Sequence, residues 1–166
     1  MKSKTRFMAQ GAMIAALYAA LTYLQNFLIP NSASFAIQFR ASEALCVLAL
    51  FTPAAIPGLT IGCLLFNISF AGALPLDFVV GTLATALAAL GMFLCRKNKY
   101  LLFPALLLPA VCNGLLVGWE LAVYIGGGFW LNALFVAIGE AAVLLSFGAV
   151  LYRSITKRNL HVKLFG

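Results

Sequence analysis

MKSKTRFMAQGAMIAALYAALTYLQNFLI, residues 1–29, sets Lys2, Lys4 and Arg6 ahead of a predominantly apolar run of 23 residues, 7–29. A signal-peptide core spans about 7 to 15 residues, whereas a membrane crossing takes about 20. The run is therefore expected to stay in place as a first transmembrane helix. Outward from it the same character continues: of 166 residues, 64% are apolar and 9% charged, and mean hydropathy is +1.05. A soluble domain carries about 25% charged residues, so an ordinary water-soluble fold is excluded. The length suits one membrane domain, 1–166, without a second.

Five further apolar runs follow, at about 41–51, 54–70, 76–94, 101–124 and 129–152. A polar stretch at 30–40, a proline-rich turn at 52–58, basic RKNK at 96–99 and GGG at 126–128 separate most of them. Proline removes a backbone donor and disfavours helix in the residue before it, so the 52–58 turn must break the chain. The 41–51 run, as an α-helix, would rise only about 16 Å, half of a hydrocarbon core. Charge decides that it counts as a crossing. Ten of eleven cations lie in the N-terminus, the 96–99 loop and the tail with Arg153, Lys157, Arg158 and Lys163. Lys and Arg in short loops stay cytoplasmic, so an even number of crossings separates these segments. The expectation is an all-α integral membrane protein of six transmembrane helices, N and C termini cytoplasmic. The net charge of +7 then reports orientation in a lipid bilayer, and no nucleic acid partner is expected.

Several chemistries lack residues. Cys46, Cys63, Cys95 and Cys112 form no C-x-x-C pair and have no histidine nearby, so no metal site is expected and they read as small core hydrophobes. His161 alone in the polar tail leaves no Ser-His catalytic pair and reads as a solvated residue. No G-x-x-x-x-G-K-[ST] occurs. The chain is expected to be no enzyme, to carry no cofactor, and to draw any ATP-derived energy from partners.

The eleventh cation, Arg40, falls outside with Glu43, Asp77 and Glu120, while Glu140 lies within helix 6; intramembrane carboxylates usually face a cavity, an ion path or a partner. Asn113, Val117, Glu120 and Tyr124 share one stripe of helix 5, and Phe129, Asn132, Val136 and Glu140 repeat it on helix 6. If the stripes face each other, they stack two Asn/Glu layers beneath aromatic residues. Such carboxylates need N–H donors that a ligand with an amine or amidine-like edge would bring. Asn matches a base edge that alternates donor and acceptor, and Trp119, Trp130, Phe129 or Tyr124 would stack on a ring. Competing roles are interhelical hydrogen bonding for the Asn and Glu residues and an aromatic belt for the tryptophans. Gln38, Arg40, Glu43, Asn67 and Asp77 complete the candidate substrate-binding set; Glu43 and Asp77 also suit helix starts. On helix 1, Ala9, Ala12, Ala16 and Ala19 or Ala20 recur at helical spacing, with Ala15 beside them, a smooth face on which another helix can dock.

Residues 38–45 (QFRASEAL), 51–59 (FTPAAIPGL), 61–64 (IGCL) with Asn67, and the stretch from FWLNA at 129–133 to Gly139-Glu140 resemble the QueT family of bacterial membrane proteins over nearly the whole chain. The resemblance implies a substrate-binding S component of an energy-coupling-factor (ECF) transporter for queuosine precursors, in the bacterial cytoplasmic membrane. It implies an ECF S-component-like bundle with an outward-open pocket, joined to a transmembrane coupling subunit and two cytoplasmic ATPases. Docking in such components runs through an Ala-x-x-x-Ala pattern, here Ala12, Ala16 and Ala20, or Ala15 and Ala19. A deazaguanine-type base would offer its 2-amino and ring N–H edge to Glu120 or Glu140 and its carbonyl edge to Asn113 or Asn132; the aminomethyl form adds a cation, and queuine is a second candidate. Two other functions fit the residues alone. One is an autonomous ion-coupled carrier with Glu140 or Asp77 as its proton site; the other is a non-transporting assembly protein in which Asn and Glu are glue.

Overall fold

A computed structural model describes residues 2–30, 39–70, 74–98 and 100–165, and all regular elements among them are helical. Helix α1, Lys2–Leu28, is built from Ala, Leu, Met and Gln, strong helix formers. It ends ahead of Pro30, where Ile29 N–H still bonds Gln25 O at 2.8 Å.

The 41–51 run folds as a 3-10 helix, Ala41–Leu50, rather than an α-helix. At about 2.0 Å per residue it reaches roughly 20 Å, further than an α-helix of that length. Helix α2, Ala55–Ser69, begins inside the proline-rich 52–58 stretch, with Pro57 in its first turn, just after Thr52 Oγ1 accepts Ala54 N–H at 3.3 Å. Helix α3 spans Asp77–Cys95.

The expected single helix at 101–124 is two, α4 (Leu102–Leu106) and α5 (Leu108–Tyr124). Pro109, without an N–H, cannot continue the ladder, and Leu107 N–H turns back to Pro104 O at 3.1 Å. Gly126 and Gly127, with φ of +91° and +81°, reverse the chain. The last long helix runs past its expected end at 152 as α6 (Phe129–Val143), a π-turn (Leu144–Gly148) and α7 (Ala149–Lys157). A final helix, α8 (Leu160–Phe165), packs back onto α1: Gln10 Nε2 donates to Leu164 O at 2.9 Å and Arg6 Nη2 at 3.4 Å. His161 is correspondingly half-buried and stacks on Phe51, centroids 5.7 Å apart, instead of lying in solvent.

Helices pack in the order α1, α2, α3, α5, α6, and the 3-10 segment lies against α1, α2, α3, α6 and α7. Two G-x-x-x-G pairs set the closest approaches. A Cβ on Gly58 would sit 2.7 Å from Gly11 O, and one on Gly62 2.8 Å from Ala15 O, so α2 lies directly on the α1 backbone. Gly118 does the same for α5 on α6, where a Cβ would meet Ala133 Cα at 2.5 Å.

The molecule is apolar outside: Leu24, Leu83, Leu87, Leu115, Leu134 and Ile138 are exposed. Its carboxylates are inside, with Glu43, Glu120 and Glu140 at 0% exposure and Asp77 at 5%. That inversion fits a lipid solvent, which offers nothing to hydrogen-bond a surface charge. Lys4–Leu28, Asp77–Cys95 and Phe129–Lys157 are long and apolar enough to cross a membrane, and Ala41–Leu50, Ala55–Ser69 and Leu108–Tyr124 are shorter apolar helices.

Candidate substrate site

A 3-10 helix repeats every three residues, so Arg40, at its N-terminal boundary, Glu43 and Cys46 fall along one edge. That edge is buried. Glu43 accepts from the Tyr18 hydroxyl, from Thr85 Oγ1 at 3.4 Å and from Cys46 Sγ at 3.1 Å. Thr22 Oγ1 and Ser42 Oγ lie 2.8 Å apart. The Arg40 guanidinium reaches toward α3, where the missing side chain of Gly81 leaves room: a Cβ there would be 3.7 Å from Arg40 Nη1 and 2.9 Å from Asn67 Nδ2. Asn67 donates to Asp77 O at 2.8 Å, and Asp77 Oδ2 accepts Leu74 N–H at 2.7 Å.

Helices α5 and α6 supply the other wall. Asn113 Nδ2 donates to Glu140 Oε2 at 2.7 Å, joining the deeper pair of the two stripes. The outer pair does not meet, because Asn132 Nδ2 turns to Gly126 O at 3.0 Å and braces the glycine turn. Glu120 instead sits opposite Asp77 of α3, near the Leu76 backbone. Helices 5 and 6 do not enclose the expected pocket between them: their glycine face is in direct contact, and the polar stripes turn toward α3 and the 3-10 segment. On the outward side of α5 and α6 lies an apolar groove of about 350 Å³, lined by residues such as Leu115, Trp130 and Leu134.

The aromatic residues are not brought to this interior. Trp119 (48% exposed), Tyr124 (44%) and Trp130 (76%) point outward, and the half-buried Phe129 packs edge-on against Trp130 at 4.8 Å. Gln38 lies outside the described residues. On α1, Ala12, Ala16 and Ala20 are exposed, Ala19 is half-buried, and Ala15 is buried against Gly62.

Tyr18, Thr22, Cys46, Cys63 and Thr85 join the polar interior without having been singled out as candidate ligand contacts, and so does Ser42, for which a helix-start role and a ligand contact were both open. Thr85 was findable, since Asp77, Gly81 and Thr85 stand at i, i+4 and i+8 on one face of α3.

Four buried oxygens on this wall have no hydrogen-bond partner: Asn113 Oδ1, Glu140 Oε1, and both carboxylate oxygens of Glu120. Buried polar atoms are rarely left so, and carboxylate oxygens least of all. Chemically the arrangement presents acceptors to something that brings donors.

The model of the QueT transporter family matches residues 8–157. The chain belongs to the QueT family. No curated protein and no solved structure matches it. Membership makes this QueT protein a multi-pass membrane protein with a transport role, and the buried acceptors lie within the matched span.

Proposed function

We propose that this QueT protein is the substrate-binding subunit of an energy-coupling-factor transporter for queuosine precursors, working in the bacterial cytoplasmic membrane. In this reading the six apolar segments each cross the bilayer and both termini are cytoplasmic. A transmembrane coupling subunit and two cytoplasmic ATPases join it, with the exposed Ala12, Ala16 and Ala20 as the docking line. The carrying observation is the set of buried, unpartnered oxygens on Asn113, Glu120 and Glu140. A deazaguanine supplies ring and amino N–H donors along one edge, which two carboxylates and an amide are suited to receive. Energy comes from partners, because the chain has no P-loop.

The test is a titration of the purified protein against deazaguanine bases, guanine and common vitamins, read as thermal stabilisation. A ligand at a hundred times its Kd adds about 2.7 kcal/mol. Selective stabilisation by a deazaguanine is expected, and its absence across the panel would overturn the reading. Uptake into liposomes by the chain alone under a proton gradient would make it an ion-coupled carrier instead.

A further inference from the structure

The two ends of the chain meet where Gln10 and Arg6 of α1 donate to Leu164 O of α8. Beside that contact an apolar groove of about 480 Å³ opens between α1, the 3-10 segment, α7 and α8. Arg6, Ala9, Met13 and Leu17 line it from α1 at helical spacing. Leu45 and Leu48, three residues apart, line it from a different edge of the 3-10 segment than the one carrying Arg40, Glu43 and Cys46. Buried Ile14 and Ile155 form its floor, while Met13 and Leu17 on the lip are exposed. Ala12, Ala16 and Ala20 are not part of it.

Length and polarity together describe an occupant. From Arg6 to Leu17 the groove follows eleven residues of α1, about 16 Å of rise. That is half of a hydrocarbon core of about 30 Å, the depth of one leaflet. Among the described residues its lining is apolar except at the end held by Arg6 and Gln10. There the Arg6 guanidinium is exposed, and its bond to Leu164 O at 3.4 Å engages one of five N–H donors. The protein brings no acid to this end. Seven cations stand in 1–29 and 141–166, those segments contain no Asp or Glu, and all four acids are buried elsewhere. An excess of Lys and Arg alone reports orientation. A leaflet-deep groove that ends at a guanidinium adds a seat for an apolar chain with an anionic head, and Arg receives phosphate through two parallel hydrogen bonds. A zwitterionic lipid carries its own cation beside the phosphate, which the surrounding Lys and Arg repel.

We propose that this groove holds an acyl chain of an anionic phospholipid from the leaflet on the side of the termini, its phosphate received by Arg6. The site is separate from the polar interior and does not depend on which substrate binds there.

The test is lipid binding by the purified, delipidated chain, followed by native mass spectrometry in titrations with phosphatidylglycerol or phosphatidylcholine of identical acyl chains. One phosphatidylglycerol per chain should bind about tenfold tighter than phosphatidylcholine. Arg6→Gln, at an exposed position, should cut that preference about fivefold, the share of one cation near a headgroup. Ala9→Phe, which fills the groove, should weaken both lipids about tenfold, and Met13→Trp at the lip repeats this arm if Ala9→Phe loses its melting transition. Glycerol phosphate, the head without the chain, should not displace the lipid. Equal binding of the two lipids would overturn the proposal and leave the groove to bulk lipid or a protein helix. A preference untouched by Arg6→Gln would overturn the phosphate seat, and affinities untouched by the filled groove, or displacement by glycerol phosphate, would overturn the acyl seat.

Discussion

Gly118→Ala tests the packing that places the site. An added Cβ would lie 2.5 Å from Ala133 Cα, 2.7 Å from Ala133 N and 3.0 Å from Ala133 Cβ. Ordinary carbon contacts sit at 3.5–4.0 Å, so α5 and α6 must part by about 1 Å, and backbone atoms cannot rotate aside as a side chain would. Overpacking of this kind costs about 1–3 kcal/mol, opposed by up to about 1 kcal/mol of helix propensity gained. At roughly 2–4 °C per kcal/mol, melting in detergent should fall by a few degrees. Two controls calibrate it. Gly91→Ala meets the end of the Leu108 side chain at 2.9 Å, which can swing away, and Gly128→Ala has no atom within 4 Å. Both should melt close to the unaltered protein. Parting the helices also stretches the 2.7 Å Asn113–Glu140 bond, so ligand affinity should drop with the melting point. If Gly118→Ala melts like Gly128→Ala and binds normally, the helices are not in backbone contact there and the placement of the polar wall is wrong.

Glu140→Gln should weaken deazaguanine binding about tenfold to a hundredfold through loss of a charged acceptor; unchanged affinity in titration would return Glu140 to a structural role. Tyr18→Phe removes one donor from buried Glu43 and should lower stability by about 1–3 kcal/mol, read as a drop in melting temperature. Ala15 and Ala16 should behave oppositely. Ala15→Leu, against the Gly62 contact, should destabilise the protein by about 1–3 kcal/mol. Ala16→Leu, on the exposed side, should leave melting and ligand binding intact while abolishing ATP-dependent uptake in a reconstituted complex; undiminished uptake would move the docking face elsewhere.

The apolar segments and their approximate ends were legible because hydropathy and charge act locally along the chain. Pro30 and the 52–58 turn, and the glycines at 126–128, mark boundaries by backbone chemistry alone. The break at Leu107 was equally available, since Pro104 and Pro109 stand five residues apart, but a continuous apolar run hid it. Helical spacing also sorted Asn113, Val117 and Glu120 correctly onto one buried stripe. It did not say which neighbour that stripe meets. The two G-x-x-x-G pairs answer that, because a glycine face admits a backbone and pushes the polar face elsewhere; Gly114 and Gly118 take α6, which leaves Glu120 for α3. Arg40 was the hardest residue to place. Its sequence position beside a polar stretch suggests a loop, and only Gly81, on a different helix, makes space for it inside.

Both departures from α-helical geometry adjoin this interior. The 3-10 segment puts Arg40, Glu43 and Cys46 on one edge, an alignment that 3.6 residues per turn would spread around the helix. The π-turn begins four residues after Glu140, and Gly148 within it lies against Val47 of the 3-10 segment, a Cβ there meeting Val47 Cγ2 at 3.5 Å. A 3-10 run of this length is uncommon, and π-turns recur at functional sites. These two segments therefore carry a constraint that the regular helices do not. Substitutions that restore α-geometry, by rotating Glu43 off its edge or resetting the turn after Glu140, disturb the polar interior without touching a single lipid-facing residue.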